Sequence, residues 1–226
     1  MAALVTGVAA AQSPATTSPG PDMSASSFTV FVRGVPVGSE QAAITRDAGG
    51  WTITGSGRIG APIDLVARRV QVRYDADWKP LELTVDATLR GQPLTVHTIV
   101  NGTTATTQFT QAGQSGEKKD TVAADAVLLP SLFWAPFEAL SLRAHAAAAG
   151  TTLPAYVTQT AVGIQVGDSS LERIQTLDRL IEVRRTPLKM MGDALPLDME
   201  LWSDDTGRML RLTIPAQGLF PFFCGK

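Results

Sequence analysis

The amino-acid sequence predicts a mainly β fold, a strongly curved antiparallel sheet or open barrel of about 11 to 13 strands with one helix packed in or across it. Three observations lead to this prediction. Long segments alternate apolar and polar residues with a period of two, turn residues separate them at short intervals, and one segment alone has helical spacing. Because a sheet that is apolar on one face is typical of antiparallel pairing, a parallel α/β arrangement is not expected.

The first part of the chain is typical of an exported protein. Residues 1–11 form a small apolar stretch that ends in small residues, as a signal peptide does before its cleavage site. No Lys or Arg precedes this stretch, so we interpret it as the remnant of a signal peptide clipped at its N-terminus and expect a periplasmic or secreted location. Residues 12–27, rich in Ser, Thr, Pro and Ala, are expected to be a flexible linker before a single β-rich domain at 28–226.

The strand pattern is clearest from Leu81 to Arg90, where every odd residue is apolar and every even residue is polar or charged. The same alternation is found at 70–75, 195–201 and 210–214, so each of these segments is expected to bury one face. Candidate turns separate the segments: Gly34-Val35-Pro36, Asp47-Ala48-Gly49-Gly50, Asp75-Ala76-Asp77-Trp78-Lys79-Pro80, Gly91-Gln92, Asn101-Gly102, Gly113-Gln114-Ser115-Gly116 and Asp204-Asp205-Thr206-Gly207.

A helix is predicted between the strands. Pro136 suits its first turn, Gly150 suits a position just after its end, and the alanines at 146–149 favour helix. Phe137 and Leu140 lie on one face with Ala144 and Ala148. We expect this face, with Trp134, to pack on the sheet.

Composition excludes several classes of function. The chain has 226 residues, 44% of them hydrophobic and 18% charged, with a formal net charge of −2 and a pI near 5.7. Binding to nucleic acid or to an anionic membrane surface is therefore not expected. No stretch of about 18 apolar residues follows the linker, so no transmembrane segment is predicted. Cys224 is the single cysteine, which excludes a disulfide within the chain.

The residues that could carry catalysis or bind a metal are few and scattered. His97 and His145 share no motif, and together with an isolated Cys224 they cannot supply a zinc site. Gly55-Ser56-Gly57 lacks the spacing of a nucleophile elbow, and no phosphate-binding glycine loop is present. The sequence thus predicts no catalytic residue, no metal and no cofactor, because no nucleophile has a recognisable base.

The apolar face of the sheet is the remaining candidate for a binding site. If its concave side is only partly filled, it could hold a hydrophobic small molecule or lipid, whereas a filled core would leave no such site. The residues expected to line this site are Val72, Tyr74, Leu83, Val85, Trp134, Phe137, Leu197, Met199 and Leu210.

Several segments resemble known exported bacterial proteins. Residues 28–38 are loosely similar to the opening hairpin of periplasmic lipoprotein-carrier-like sheets. Gly60-Ala61-Pro62-Ile63-Asp64-Leu65-Val66-Ala67-Arg68-Arg69 and Asp77-Trp78-Lys79-Pro80 resemble the N-terminal non-catalytic β domain of secreted bacterial α/β-hydrolases. The segment 207–217 resembles the same domain, and the likeness covers about residues 28–219.

The resemblance implies an accessory module that acts by contact with a partner, which would be a catalytic hydrolase domain, or with a substrate. In such proteins the hydrolase domain follows, whereas this chain ends in the apolar tail 220–226, so no catalytic residue can be carried over. Two alternatives stay open: a periplasmic carrier of a hydrophobic small molecule, and serine hydrolase activity supplied by a missing downstream domain. The oligomeric state is not predicted.

Overall fold

The structure, a computed structural model, describes residues 22–157, 159–175, 180–192, 196–215 and 219–223. The proposed signal remnant and most of the proposed linker lie outside these residues. Within them the chain forms sixteen strands and one helix, all strands belonging to one curled sheet. No helix of the described residues is long and apolar enough to cross a membrane.

The first half of the sheet is an antiparallel meander of eight strands, each joined to the next by a short turn. The strands are β1 (Asp22–Val32), β2 (Val35–Asp47), β3 (Gly50–Ile59), β4 (Leu65–Tyr74), β5 (Pro80–Leu89), β6 (Gln92–Asn101), β7 (Thr104–Gln111) and β8 (Gln114–Thr121). The expected alternation is confirmed in β4 and β5, where buried and more exposed positions largely alternate.

The second half begins with a short strand and the helix, followed by seven more strands. They are β9 (Val127–Leu129), α1 (Phe137–Ala146), β10 (Thr152–Val157), β11 (Thr160–Val166), β12 (Ser170–Gln175), β13 (Leu180–Met191), β14 (Leu197–Ser203), β15 (Met209–Thr213) and β16 (Leu219–Phe223). β16, from the apolar tail, pairs with both β1 and β15 and joins the two halves.

The sheet curls into a half-barrel that nearly brings its two ends together. All pairs are antiparallel except β9 with β10, and β8 and β9 are the end strands. Lys118 of β8 donates to the carbonyl oxygen of Gln159 at 2.7 Å, and the Tyr156 hydroxyl of β10 donates to Asp120 at 2.6 Å. We call this junction, made by side chains instead of a backbone ladder, the seam.

The predicted fold class is confirmed, with more strands than the 11 to 13 expected. One cause is that β11 and β12 both pair with β13 and behave as one strand interrupted at residues 167–169. Another is β9, which is too short to show alternation. In addition β1 starts at Asp22, not at Phe28, because the small residues before Phe28 pair with β2.

Several hairpin turns lie one residue earlier than predicted. The pairs Arg90-Gly91 and Ala112-Gly113 form two-residue loops with both φ angles positive, 50° and 75° in the first and 49° and 79° in the second. In such loops the glycine is the second loop residue, whereas the prediction started each turn at the glycine. After β6 the shift is in the opposite direction: the loop is Gly102 and Thr103, one residue later than the predicted Asn101-Gly102, and Asn101 still belongs to the strand.

The helix is shorter than predicted. Pro136 is its N-cap, as its position in the sequence suggested, but α1 ends at Ala146 and Ala147 is extended. The alanine run does not continue the helix because the chain must enter β10, and Gly150 donates to the carbonyl oxygen of Val166 at 2.8 Å. The expected burial of Trp134, Phe137 and Leu140 is confirmed.

Candidate functional site

The concave side of the sheet is occupied by the chain itself. Residues 122–147, which we call the interior segment, contain β9, a loop and α1, and run between the sheet's two ends. Almost all of its side chains from Ala126 to Ser141 are buried. The core of the protein therefore lies between the apolar face of the sheet and this segment.

The predicted ligand-binding residues fall into two layers of this core. Four are on the sheet and fully buried, namely Val72, Tyr74, Leu83 and Val85. Trp134 and Phe137 belong to the interior segment, with ring centroids 5.7 Å apart. The two groups thus belong to one core, the first on the sheet and the second on the interior segment that packs against it.

The three predicted residues on β14 and β15 differ in how deeply they are buried. Met199 is buried and Leu197 is partly buried against the core. Leu210 is not in phase with the buried side chains, because a bulge between Trp202 and Ser203 shifts the register. Met209 takes the buried position instead, with 1% of its surface exposed.

Glu40 anchors the interior segment to the sheet. This side chain, on the concave face of β2, is 2% exposed and accepts hydrogen bonds from the backbone N–H groups of Trp134 and Ala135, at 3.0 and 2.7 Å. These amides immediately precede α1. Gly55 of β3 makes the space, since a Cβ there would lie 2.6 Å from the Ala135 Cβ and 2.9 Å from Glu40 Oε1.

Burial dominates the ionisation of Glu40. It raises the pKa of this carboxyl from 4.5 to about 7, while the two amide hydrogen bonds act in the opposite direction. Among the described residues no Lys, Arg or His side chain forms an ion pair with it. Glu40 is therefore a buried carboxyl whose hydrogen-bond partners among the described residues are two backbone amides.

Glu138, on α1, is the second anchor and is fully buried. It accepts from the Arg208 guanidinium at 2.9 and 3.2 Å and from the backbone N–H of Met209 at 3.0 Å. The Ser26 hydroxyl of β1 donates to it at 3.2 Å. Its oxygens are thus fully engaged by β1 and by the start of β15, which leaves none to act as a base.

A third anchor is Tyr74. Its hydroxyl accepts from the backbone N–H of Leu128 in β9 at 3.0 Å, and burial raises the pKa of the phenol well above its usual range. On the helix, the Ser141 hydroxyl donates to the carbonyl oxygen of Gly207 at 2.7 Å. The contacts of Tyr74 and Ser141 join side chains to backbone, and together with those of Glu40 and Glu138 they hold the interior segment in place.

Among the described residues, no hydrogen bond joins either histidine to a serine or cysteine side chain. His97, on the outer face of β6, lies 2.8 Å from Glu82 and is 44% exposed. His145 packs beside Gly207, and Ser141, one turn earlier on α1, has its hydroxyl engaged there. No group of three or more His, Cys, Asp or Glu side chains that could hold a metal occurs in the part of the chain that the structure describes.

Two segments that carry the family resemblance have structural roles. In the turn after β4, Asp75 Oδ1 accepts the N–H groups of Asp77 and Lys79, at 2.9 Å each. Trp78, with a φ of 63°, stacks on Trp51 with ring centroids 4.5 Å apart. In the segment at 207–217, Arg208 clamps Glu138, as described above. These motifs thus stabilise the half-barrel and its filling.

Two clefts on the described surface each contain one of the predicted binding residues. The larger, about 620 Å³, lies across β11, β13 and β14, and its polar lining includes Gln165, Lys189 and Asp198. The smaller, about 370 Å³, lies beside the β2–β3 turn. Of the predicted ligand-binding residues, the first contains only Met199 and the second only Tyr74, so neither of these two clefts gathers the nine residues.

Comparison with known proteins gives little further information. No family model matches the chain, and no curated protein matches it. A crystal structure of a DUF1089 family protein from Pseudomonas aeruginosa, at 1.80 Å resolution, is similar with a TM-score of 0.34 and 12% sequence identity. The alignment covers 93% of this chain and 98% of that one. A TM-score this low supports no inference about function.

Sequence reasoning missed Glu40 and Glu138, the two residues that anchor the interior segment. A signal was present for both. Glu40 is in phase with Ala42 and Ile44, on the face that alternation assigns to the core, and Glu138 stands among the apolar residues at the start of α1. An acid at an apolar position is informative because a buried carboxylate requires specific donors.

Proposed function

We propose that this chain is a non-catalytic module that acts by contact with a partner or an extended substrate, as the accessory β domain of secreted bacterial α/β-hydrolases does. The observation that supports this most is the filled interior, in which the buried carboxylates of Glu40 and Glu138 are engaged in anchoring the chain. A protein whose buried polar groups serve its own fold has its surface left for function. The resemblance supplies the expected partner, a catalytic hydrolase domain.

Cross-linking in the source organism tests the proposal. Cells that express the tagged chain would be treated with a lysine-reactive reagent, and cross-linked peptides identified by mass spectrometry. Exposed Lys119 and Lys189 lie on different parts of the sheet and report on two surfaces. We expect peptides from a hydrolase to be linked to one of them. Cross-links to neither surface above those of an untagged control would contradict the proposal.

An ester-hydrolysis assay tests the non-catalytic part. With p-nitrophenyl butyrate we expect no turnover above the buffer rate. Turnover that is abolished by His97→Ala or His145→Ala, with folding retained, would overturn the assignment.

The second candidate is a carrier of a hydrophobic small molecule. One observation favours it: the sheet face with Val72, Leu83 and Val85 is apolar and is covered by a segment whose polar anchors are few. If that segment moved away, an apolar surface would be exposed. Titration with the fluorescent probe diphenylhexatriene separates the candidates, because a carrier would bind it at a defined stoichiometry and a contact module would not.

A further inference from the structure

Two buried acids attach the interior segment to the sheet, one with a positively charged partner and one with backbone amides only among the described residues. Glu138 faces Arg208, so its charge is compensated. Glu40 has the N–H groups of Trp134 and Ala135 as its only hydrogen-bond donors among the described residues. A change of protonation at Glu40 therefore changes the charge inside the core, whereas the Glu138 site has its own counter-ion.

We propose that Glu40 is a pH-sensitive latch, which holds the interior segment against the sheet when protonated and loosens it when ionised. This goes beyond the proposed function, since it concerns movement within the molecule and does not depend on a partner.

Geometry places the latch where it can act. The Glu40 carboxyl contacts the last residues before α1, and its neighbours on the sheet are Phe28, paired with it on β1, and Gly57, paired with it on β3. Both neighbours lack charge. Among the described residues, the charged groups that also tie the interior segment to the sheet are Glu138 of α1 and Arg208, which bind each other. Within the described ranges, the groups that donate hydrogen bonds to this carboxyl are the two amides.

The pH dependence of the latch follows from the coupling between proton binding to Glu40 and closing of the interior segment. Burial raises the pKa of Glu40 from 4.5 to about 7 when the segment is in place, whereas a solvated Glu40 in the opened state has the ordinary pKa. The closed state thus binds the proton more tightly, so it is favoured at low pH and loses stability as pH rises from 4.5 to about 7. Between pH 6 and pH 8 the opening equilibrium should increase about tenfold.

Hydrogen–deuterium exchange of the whole chain at pH 6 and pH 8, corrected for the intrinsic exchange rate, tests the latch. We expect the protection of amides from Leu128 to Ser141 to fall about tenfold in the wild type and to stay constant in Glu40→Gln. Glu117→Gln, at an exposed site on β8, is the control and should behave as the wild type. Equal pH dependence in the wild type and Glu40→Gln would overturn the proposal, as would an equal loss of protection in β4 and β5.

A second measurement covers the case in which Glu40→Gln does not fold. Carbon-13 NMR of the side-chain carboxyls in the wild type should show one glutamate that titrates near pH 7, in step with the loss of protection in the interior segment. Titration of all observed glutamates below pH 5.5, or a midpoint unrelated to the exchange data, would refute the latch. Either outcome is independent of whether a hydrolase partner is found.

Discussion

At the residue scale, removing one partner of the buried pair of Glu138 and Arg208 should destabilise the protein, because the other partner is left buried and uncompensated. We predict that Glu138→Gln lowers the free energy of unfolding by about 3 to 5 kcal/mol, because the Arg208 charge, only 14% exposed, loses its partner. Urea unfolding followed by tryptophan fluorescence measures this. The control is Glu182→Gln in the exposed pair with Arg173, which should change stability by less than about 0.5 kcal/mol. Similar losses in both variants would contradict the role given to Glu138.

Gly55 provides a second test, of close packing between the sheet and the interior segment. Gly55→Ala should cost about 1 to 3 kcal/mol, since its Cβ would meet the Ala135 Cβ at 2.6 Å. Thermal unfolding by circular dichroism compares it with Gly49→Ala, whose Cβ meets only the exposed Asp47 side chain at 3.2 Å. If Gly55→Ala were as stable as Gly49→Ala, the interior segment could not lie as close to β3 as described.

The sequence indicates the location of these anchors only in part. Alternation places Ala42 and Ile44 in the core and thereby places Glu40 there too. What it cannot show is which backbone amides meet the carboxyl, because Trp134 is 94 residues further along the chain. Contacts at that separation depend on how far the sheet curls, and no local pattern encodes this.

At the element scale, the seam depends on side-chain hydrogen bonds, because no backbone ladder joins the described strands β8 and β10 there. We predict that Tyr156→Phe lowers the free energy of unfolding by about 0.5 to 1.5 kcal/mol and speeds amide exchange in β8, since the hydrogen bond to Asp120 is lost. The control is Ser115→Ala, on the same strand but facing Thr110. Unchanged β8 exchange in Tyr156→Phe would show that the hydroxyl does not hold the seam.

Elements were predicted best where the pattern is long and regular. The ten-residue strands β4 and β5 are read directly from alternation. The bulge that exchanges Met209 for Leu210 was not predictable, because alternation assumes an uninterrupted register. The end of α1 was missed for a related reason, since the alanines favour helix locally while the path into β10 requires an extended chain.

At the scale of the whole molecule, the arrangement of the sheet covers its apolar face and protects its end strand from pairing with other chains. Its apolar face is covered by the interior segment, and its exposed end strand β8 carries the charged residues Glu117, Lys118, Lys119 and Asp120, which oppose edge-to-edge pairing. The overall class, a curved antiparallel sheet with one helix, followed from composition and period. That the loop and the helix of the interior segment fill the concave side could not be derived, since the same apolar residues are compatible with a filled and with an open interior.

Native mass spectrometry of the protein purified from its source cells tests the filled interior most directly. We expect a single species with the mass of the polypeptide alone, because the buried side chains of the interior segment pack in the same core as the apolar face of the sheet. A species heavier by the mass of a lipid, which is lost on collisional activation and replaced when the lipid is added back, would contradict it.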